Sequence, residues 1–467
     1  MIFATKAFFV FLPTVLVLYH LLRRRSHKYF VLLAASWLFY SWLSPQYLWV
    51  IIACTVIDYV AGLKIESAAT ERGRKRWLVV SIAANLGLLF AFKYTAFAVD
   101  NAVSLARLFG AEIHDRTWEI LLPIGISFHT FQGISYTVDV YRRQIRAVRS
   151  FLDYALFVSF FPQLAAGPIV RAVEFLPQMA TPPSPGAKQI AEGLHFFLLG
   201  LFKKVFIADQ LDLLFVSPVF ADPGAFDPAA RRMACLAWAA QIYCDFSGYS
   251  DMAIGIGKWF GFELPMNFNL PYLAVNIADF WRRWHLSLST WLRDYLYFPL
   301  GGSKGSAART YINLMIVFVM CGLWHGATWA WLAYGGVMGA AMCLHRAADR
   351  AVGGIPICDA VRATWPWKSA SWALTMLFVT ATLVLIRMPN WDAGGMLLQS
   401  LFGFDLLSQA VPIWVPILAV LGVMGHAFSG LRVGVPPVLR AAGYVAAVVL
   451  LVTLSPGVAK TFIYIAF

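Results

Sequence analysis

Charge is scarce in this sequence. Only 13% of its 467 residues are charged, against 60% hydrophobic, where soluble domains carry about 25% charged residues. No long polar stretch remains to build a water-soluble domain, so one integral membrane domain over residues 1–467 is expected. The six cysteines form no CxxC pair; without a disulfide or zinc pattern they read as small core residues. HExxH and HxxxH helices are missing, and no metal set is expected. No internal repeat of the transporter kind is visible. The charge order of a signal peptide is missing too. Such a peptide carries its positive charges before the apolar core, whereas Arg23, Arg24 and Arg25 follow it here. A first membrane helix with the N-terminus outside is expected instead.

Long apolar runs are what the chain has in abundance, with a mean hydropathy of +0.68. A membrane span needs ~20 apolar residues. Runs fall near 7–22, 29–43, 46–63, 78–98, 119–139, 187–206, 231–257, 312–323, 327–344, 370–387, 411–428 and 440–456. The net charge of +13 is spread in short clusters between them: Arg23 to Arg25 and Lys28; Lys64, Arg72, Arg74, Lys75 and Arg76; Arg142, Arg143, Arg146 and Arg149. That is the basic excess of cytoplasmic loops, and no nucleic-acid partner is expected from it. Alternating the runs places both termini outside and gives an all-α polytopic protein of about eleven spans. Re-entrant and interfacial helices are expected besides. Residues 151–170, interrupted by Pro162 and Gly167-Pro168, read as re-entrant or as two short interfacial helices.

Chemistry concentrates between residues 280 and 326. In FWRRWHLSLSTWLRDYLY, Trp281, Trp284, His285, Leu288 and Leu292 share one helical stripe, with Arg282, Ser289 and Arg293 on another side. The spacing predicts a helix in the membrane surface, and such a helix serves as a simple anchor equally well. His325 follows Trp324, between Gly322 and Gly326, in an apolar stretch that reads as a hairpin or broken helix. Polar groups at that depth are costly and face a bundle interior or a water-filled cavity. A neutral imidazole can take a hydroxyl proton and return it; a buried histidine satisfied by its neighbours has the same sequence signature. Asp245 and Asp251 flank Ser247 at the edge of run 231–257, suited to orienting a histidine or to capping. In residues 123–142, Ser127, His129, Thr130, Gln132, Ser135, Tyr136 and Thr137 give a polar face, for lining a cavity or for helix–helix hydrogen bonds.

Four blocks carry a resemblance: PIGISFHTFQGISYTVDVYR, FFPQLAAGPIVR, YCDFSGYSDMAIGIG, and FWRRWHLSLSTWLRDYLYFPLGG leading into GLWHGA. Their order and wording resemble the membrane-bound O-acyltransferases, in the bacterial branch that acylates surface polymers such as alginate. The resemblance covers roughly the first three quarters of the chain and implies a ring of helices around a thin partition. It implies that His325 is the essential buried histidine and His285 the upstream conserved polar position, both catalytic. It implies an acyl thioester donor as substrate (acetyl-CoA or the phosphopantetheine of a carrier protein), with no bound cofactor. Arg282, Arg283, Arg293 and Lys304 suit the anionic tail of that donor. Trp284, Ser289, Trp324, Asp245, Ser247, His129 and Gln132 are the further donor- or substrate-binding candidates. Membrane lipid, a cytoplasmic acyl donor protein and a periplasmic acyltransferase partner are the implied partners, at the bacterial inner membrane. D-alanyl transfer to a teichoic-type polymer and a non-catalytic acyl or glycan transporter are the alternatives. At 129–132 the chain reads HTFQ, where alginate-type members often carry a tyrosine and an acidic residue.

Overall fold

A computed structural model describes residues 3–110, 123–181, 184–403 and 411–430, with isolated positions 443, 445, 462 and 463. Every regular element among the described residues is helical. Pro45–Ser67, Glu71–Leu108, Ala307–His325 and Trp365–Leu385 are long and apolar enough to cross a membrane. Lys6–Leu21 and Trp414–Met424 are shorter apolar helices. Several other expected spans are helical but diluted by charge: run 231–257 lies in Pro228–Trp259, which contains Arg231, Arg232, Asp245, Asp251 and Lys258. The expected span at 440–456, positions 443 and 445 apart, and Arg432 lie outside the described residues. The chain divides into two compact units: Met1–Gly193, Ala253–Pro265 and Gly326–Thr328 form one, and Leu194–Met252, Met266–His325 and Trp329–Phe467 the other.

The first unit is organised by α1 (Lys6–Leu21), α2 (Arg25–Leu43), α3 (Leu48–Ser67), α4 (Glu71–Leu89), α5 (Thr95–Leu108), α6 (Ile126–Tyr141) and α7 (Phe151–Ser159). Polar side chains tie α3, α4 and α6 together. Asp58 Oδ1 accepts from Ser81 Oγ at 2.6 Å and from Asn85 Nδ2 at 2.8 Å, and Ser81 meets Thr137 at 3.0 Å. Gly133 makes this possible, because a Cβ there would lie 2.0 Å from Asp58 Oδ2. The polar face of residues 123–142 is thus used for helix–helix bonding.

Arg74, expected as a topology signal, is buried. It donates to the carbonyls of Ile65, Val140 and Tyr141 at the ends of α3 and α6, where intrahelical donors run out. Helix α7 has nine residues, about 13 Å of rise against a hydrocarbon core of ~30 Å. The chain breaks at Phe160, and Phe160 to Val170 are buried throughout. A second short helix, Phe161–Leu164, follows the break, so this stretch does not span as one helix.

The second unit contains α8 (Pro228–Trp259, as far as Met252), α9 (Ile277–Trp281), α10 (Leu286–Leu292), α11 (Ala307–His325), α12 (Trp329–Val352) and α13 (Trp365–Leu385). Helices α11 and α12 form the expected hairpin. Gly322 and Gly335 let their backbones meet, since a Cβ on Gly322 would lie 2.2 Å from Trp331 O and one on Gly335 2.4 Å from Phe318 O.

Candidate active site

The stripe read from residues 280–297 is real, but its helix is not continuous. Trp281, Trp284, His285, Leu288 and Leu292 are all buried. Between α9 and α10, however, the backbone leaves the helix, and His285 takes φ 46°, ψ 57°. A non-glycine residue in that left-handed region is strained and persists where its surroundings hold it. The surroundings here are the loop before α9. Asn269 N–H donates to Arg283 O at 2.9 Å, and Leu286 N–H to Asn267 O at 2.9 Å. The break turns His285 inward, so it is fully buried rather than an interface residue.

Around His285 the ring of Phe246 stands edge-on at 4.7 Å, and Asn267 Oδ1 lies 3.1 Å from Nδ1. Burial pulls the imidazole well below its usual range, to about 3, so the ring is neutral. The second histidine arrives from a different element. His325 is the last residue of α11 and is 6% exposed. Its ring stacks on Trp331 at 5.0 Å and meets Trp324 edge-on at 4.7 Å. The two imidazole centroids are 6.3 Å apart, and Trp324 also lies 6.2 Å from His285. Two buried imidazoles at that separation can address one small reacting group between them or pass a proton through one bridging atom.

Family membership follows from comparison with known proteins. The model of the "MBOAT, membrane-bound O-acyltransferase family" matches residues 32–387. The chain belongs to that family. It is an acyltransferase of the membrane, and its apolar helices agree with that setting. Among its relatives, "Probable alginate O-acetylase AlgI" of Pseudomonas aeruginosa is 40% identical over 86% of this chain and 75% of its own length. "Peptidoglycan O-acetyltransferase" of Helicobacter pylori is 37% identical over 87% of this chain and 81% of its own. "Teichoic acid D-alanyltransferase" of Bacillus subtilis is more distant, 28% identical over 48% of this chain and 58% of its own.

The remaining sequence candidates of this acyltransferase are distributed as follows. Trp284 is stacked on Phe280 beneath the His285 turn, and Ser289 Oγ donates to Trp284 O. The three arginines have acidic neighbours: Arg282 and Arg283 approach Asp279 at 3.7 and 3.1 Å, and Arg293 holds Asp294 at 2.7 Å. Lys304 is exposed. Ser247 is buried on α8. Asp245, weighed as a partner for a histidine, instead pairs with Lys204 at 2.5 Å and accepts from Ile463 N–H. His129 and Gln132 belong to the first unit, where His129 Nδ1 lies 3.2 Å from Val158 O.

Sequence reasoning passed over two groups. One is Asn267 with Ser250, linked to each other at 3.2 Å; the only signal was a polar NFN within an otherwise apolar stretch. The other is a set of ion pairs: the buried Lys203 with Asp251 at 2.6 Å and Lys204 with Asp209 at 2.9 Å, and the half-buried Arg387 with Asp212 at 2.5 Å. Adjacent lysines inside run 187–206 were the available hint. Among the described residues no group of three or more His, Cys, Asp or Glu side chains is placed to hold a metal.

Proposed function

We propose that this protein moves an acetyl group from a cytoplasmic thioester donor across the membrane, for O-acetylation of an exopolysaccharide or cell-wall polymer of alginate-like type. The observation that carries the reading is the pair of buried imidazoles, 6.3 Å apart and delivered by separate elements. His325 acts as general base. It takes the proton as the acceptor O–H bond breaks, and the acceptor oxygen bonds to the thioester carbonyl carbon. The tetrahedral intermediate then expels the thiolate by breaking the C–S bond, and the imidazolium returns its proton to that sulfur. His285 lies beside the reacting group, and Arg282, Arg283, Arg293 and Lys304 hold the anionic tail of acetyl-CoA or of a carrier-protein phosphopantetheine.

The protein acts in the bacterial inner membrane with about eleven crossings and both termini outside. Its acceptor is a serine hydroxyl on a periplasmic partner, which then modifies the polymer. Acetyl is favoured over D-alanyl because the O-acetyltransferase relatives match more of the chain at higher identity. Membranes carrying the protein, supplied with radiolabelled acetyl-CoA, are expected to pass label to added partner and polymer. A D-alanyl carrier thioester labelling the acceptor in its place would overturn the acetyl reading. His325→Gln is expected to abolish labelling, since the amide cannot cycle a proton; undiminished flux through that variant would favour a transporter.

A further inference from the structure

The strained backbone of His285 and the orientation of its ring have one common holder. We infer that Asn267 is a positioning residue of the transferase: it locks the left-handed turn at His285 and fixes the ring as the Nδ1–H tautomer, so that Nε2 is the proton-accepting atom. This rests on the reading of His285 as part of the reaction site.

Five bonds converge on Asn267. Its backbone carbonyl accepts from Leu286 N–H at 2.9 Å. Its side-chain oxygen lies 3.3 Å from Ser287 N, 2.9 Å from Ser287 Oγ and 3.1 Å from His285 Nδ1. An asparagine amide is often ambiguous in orientation, but here it is not. The Ser287 backbone N–H can only donate, so the side-chain atom that faces it must be the oxygen. The other amide atom, Nδ2, then donates to Ser250 Oγ on α8 at 3.2 Å. A carbonyl oxygen has no proton to give, so His285 Nδ1 must carry the hydrogen. In a neutral imidazole the lone pair is then on Nε2. The same bonds clamp residues 285 to 287, at the φ 46° position and immediately after it. Asn267 is 1% exposed, so water is poorly placed to replace it. Ser287 spends its hydroxyl hydrogen on this clamp.

The test uses the full-length protein reconstituted in bilayers, with ¹⁵N-histidine NMR and acetyl transfer measured on the same preparations, and His285→Ala identifying the resonance. In the wild type, His285 is expected to show a protonated Nδ1 and a bare Nε2. Asn267→Leu should mix or invert the tautomers and lower kcat by about tenfold or more, as loss of an orienting partner does elsewhere, with KM for the donor little changed. Asn267→Asp keeps an acceptor toward Nδ1 and Ser287; it should restore the tautomer and part of the rate. Ser250→Ala should act in the same direction as Asn267→Leu but more weakly. An Nε2–H tautomer in the wild type, or a wild-type tautomer and kcat in Asn267→Leu, would overturn the assignment. Failure of the underlying reading looks different: His285→Ala would keep transferring acetyl groups.

Discussion

Several individual charges in this membrane protein are buried in ion pairs. Lys203 and Asp251 are 2% and 3% exposed and pair at 2.6 Å, so each buried charge faces an opposite one. Removing one partner of such a pair costs about 3–5 kcal/mol, whereas replacing both by apolar residues is often neutral. Lys203→Met is therefore expected to lower thermal stability in detergent sharply, and Lys203→Met with Asp251→Leu to recover most of it. Additive losses in the double variant would contradict the pairing. These partners were illegible in sequence because they lie 48 residues apart on different elements. His325, by contrast, was legible on its own: one histidine between glycines in an apolar run states its burial without reference to anything distant.

At the scale of elements, periodicity reported which side chains are buried but not where the helix stops. The Trp281–Trp284–His285–Leu288 stripe was read correctly. The break inside it was not, because the left-handed turn is imposed by Asn267 and Asn269, which precede it by a loop and a helix. The α11/α12 hairpin is easier to read, since its cause is local: Gly322 of CGLWHGA and Gly335 of α12 sit where the backbones touch. Gly335 and Gly336 give a sharp contrast. A Cβ on Gly335 would lie 2.4 Å from Phe318 O, while one on Gly336 meets nothing within 4 Å. Gly335→Ala is expected to destabilise by about 1–3 kcal/mol and Gly336→Ala by under about 0.5 kcal/mol, read as melting temperatures of the purified protein. Equal effects would mean that the hairpin does not close as described.

For the whole molecule, composition alone sufficed for class: so little charge and so many apolar runs leave only an all-α membrane protein. Composition did not predict which helices would meet a simple span criterion, because buried ions such as those of α8 dilute the hydropathy of helices that are nonetheless internal. Basic clusters were read as orientation signals, yet two of their members also hold structure. Arg74 ties down the ends of α3 and α6, and Arg25 pairs with Asp153 at 2.6 Å. Motif resemblance and family membership agree on acyl transfer, and the paired imidazoles are where we propose that it takes place. The most direct test is polymer-bound acetate in cells carrying wild-type protein or His325→Ala at equal membrane abundance. Loss of acetate in the variant is the expected result. Acetate at the wild-type level would remove His325 from the reaction and contradict the site described here.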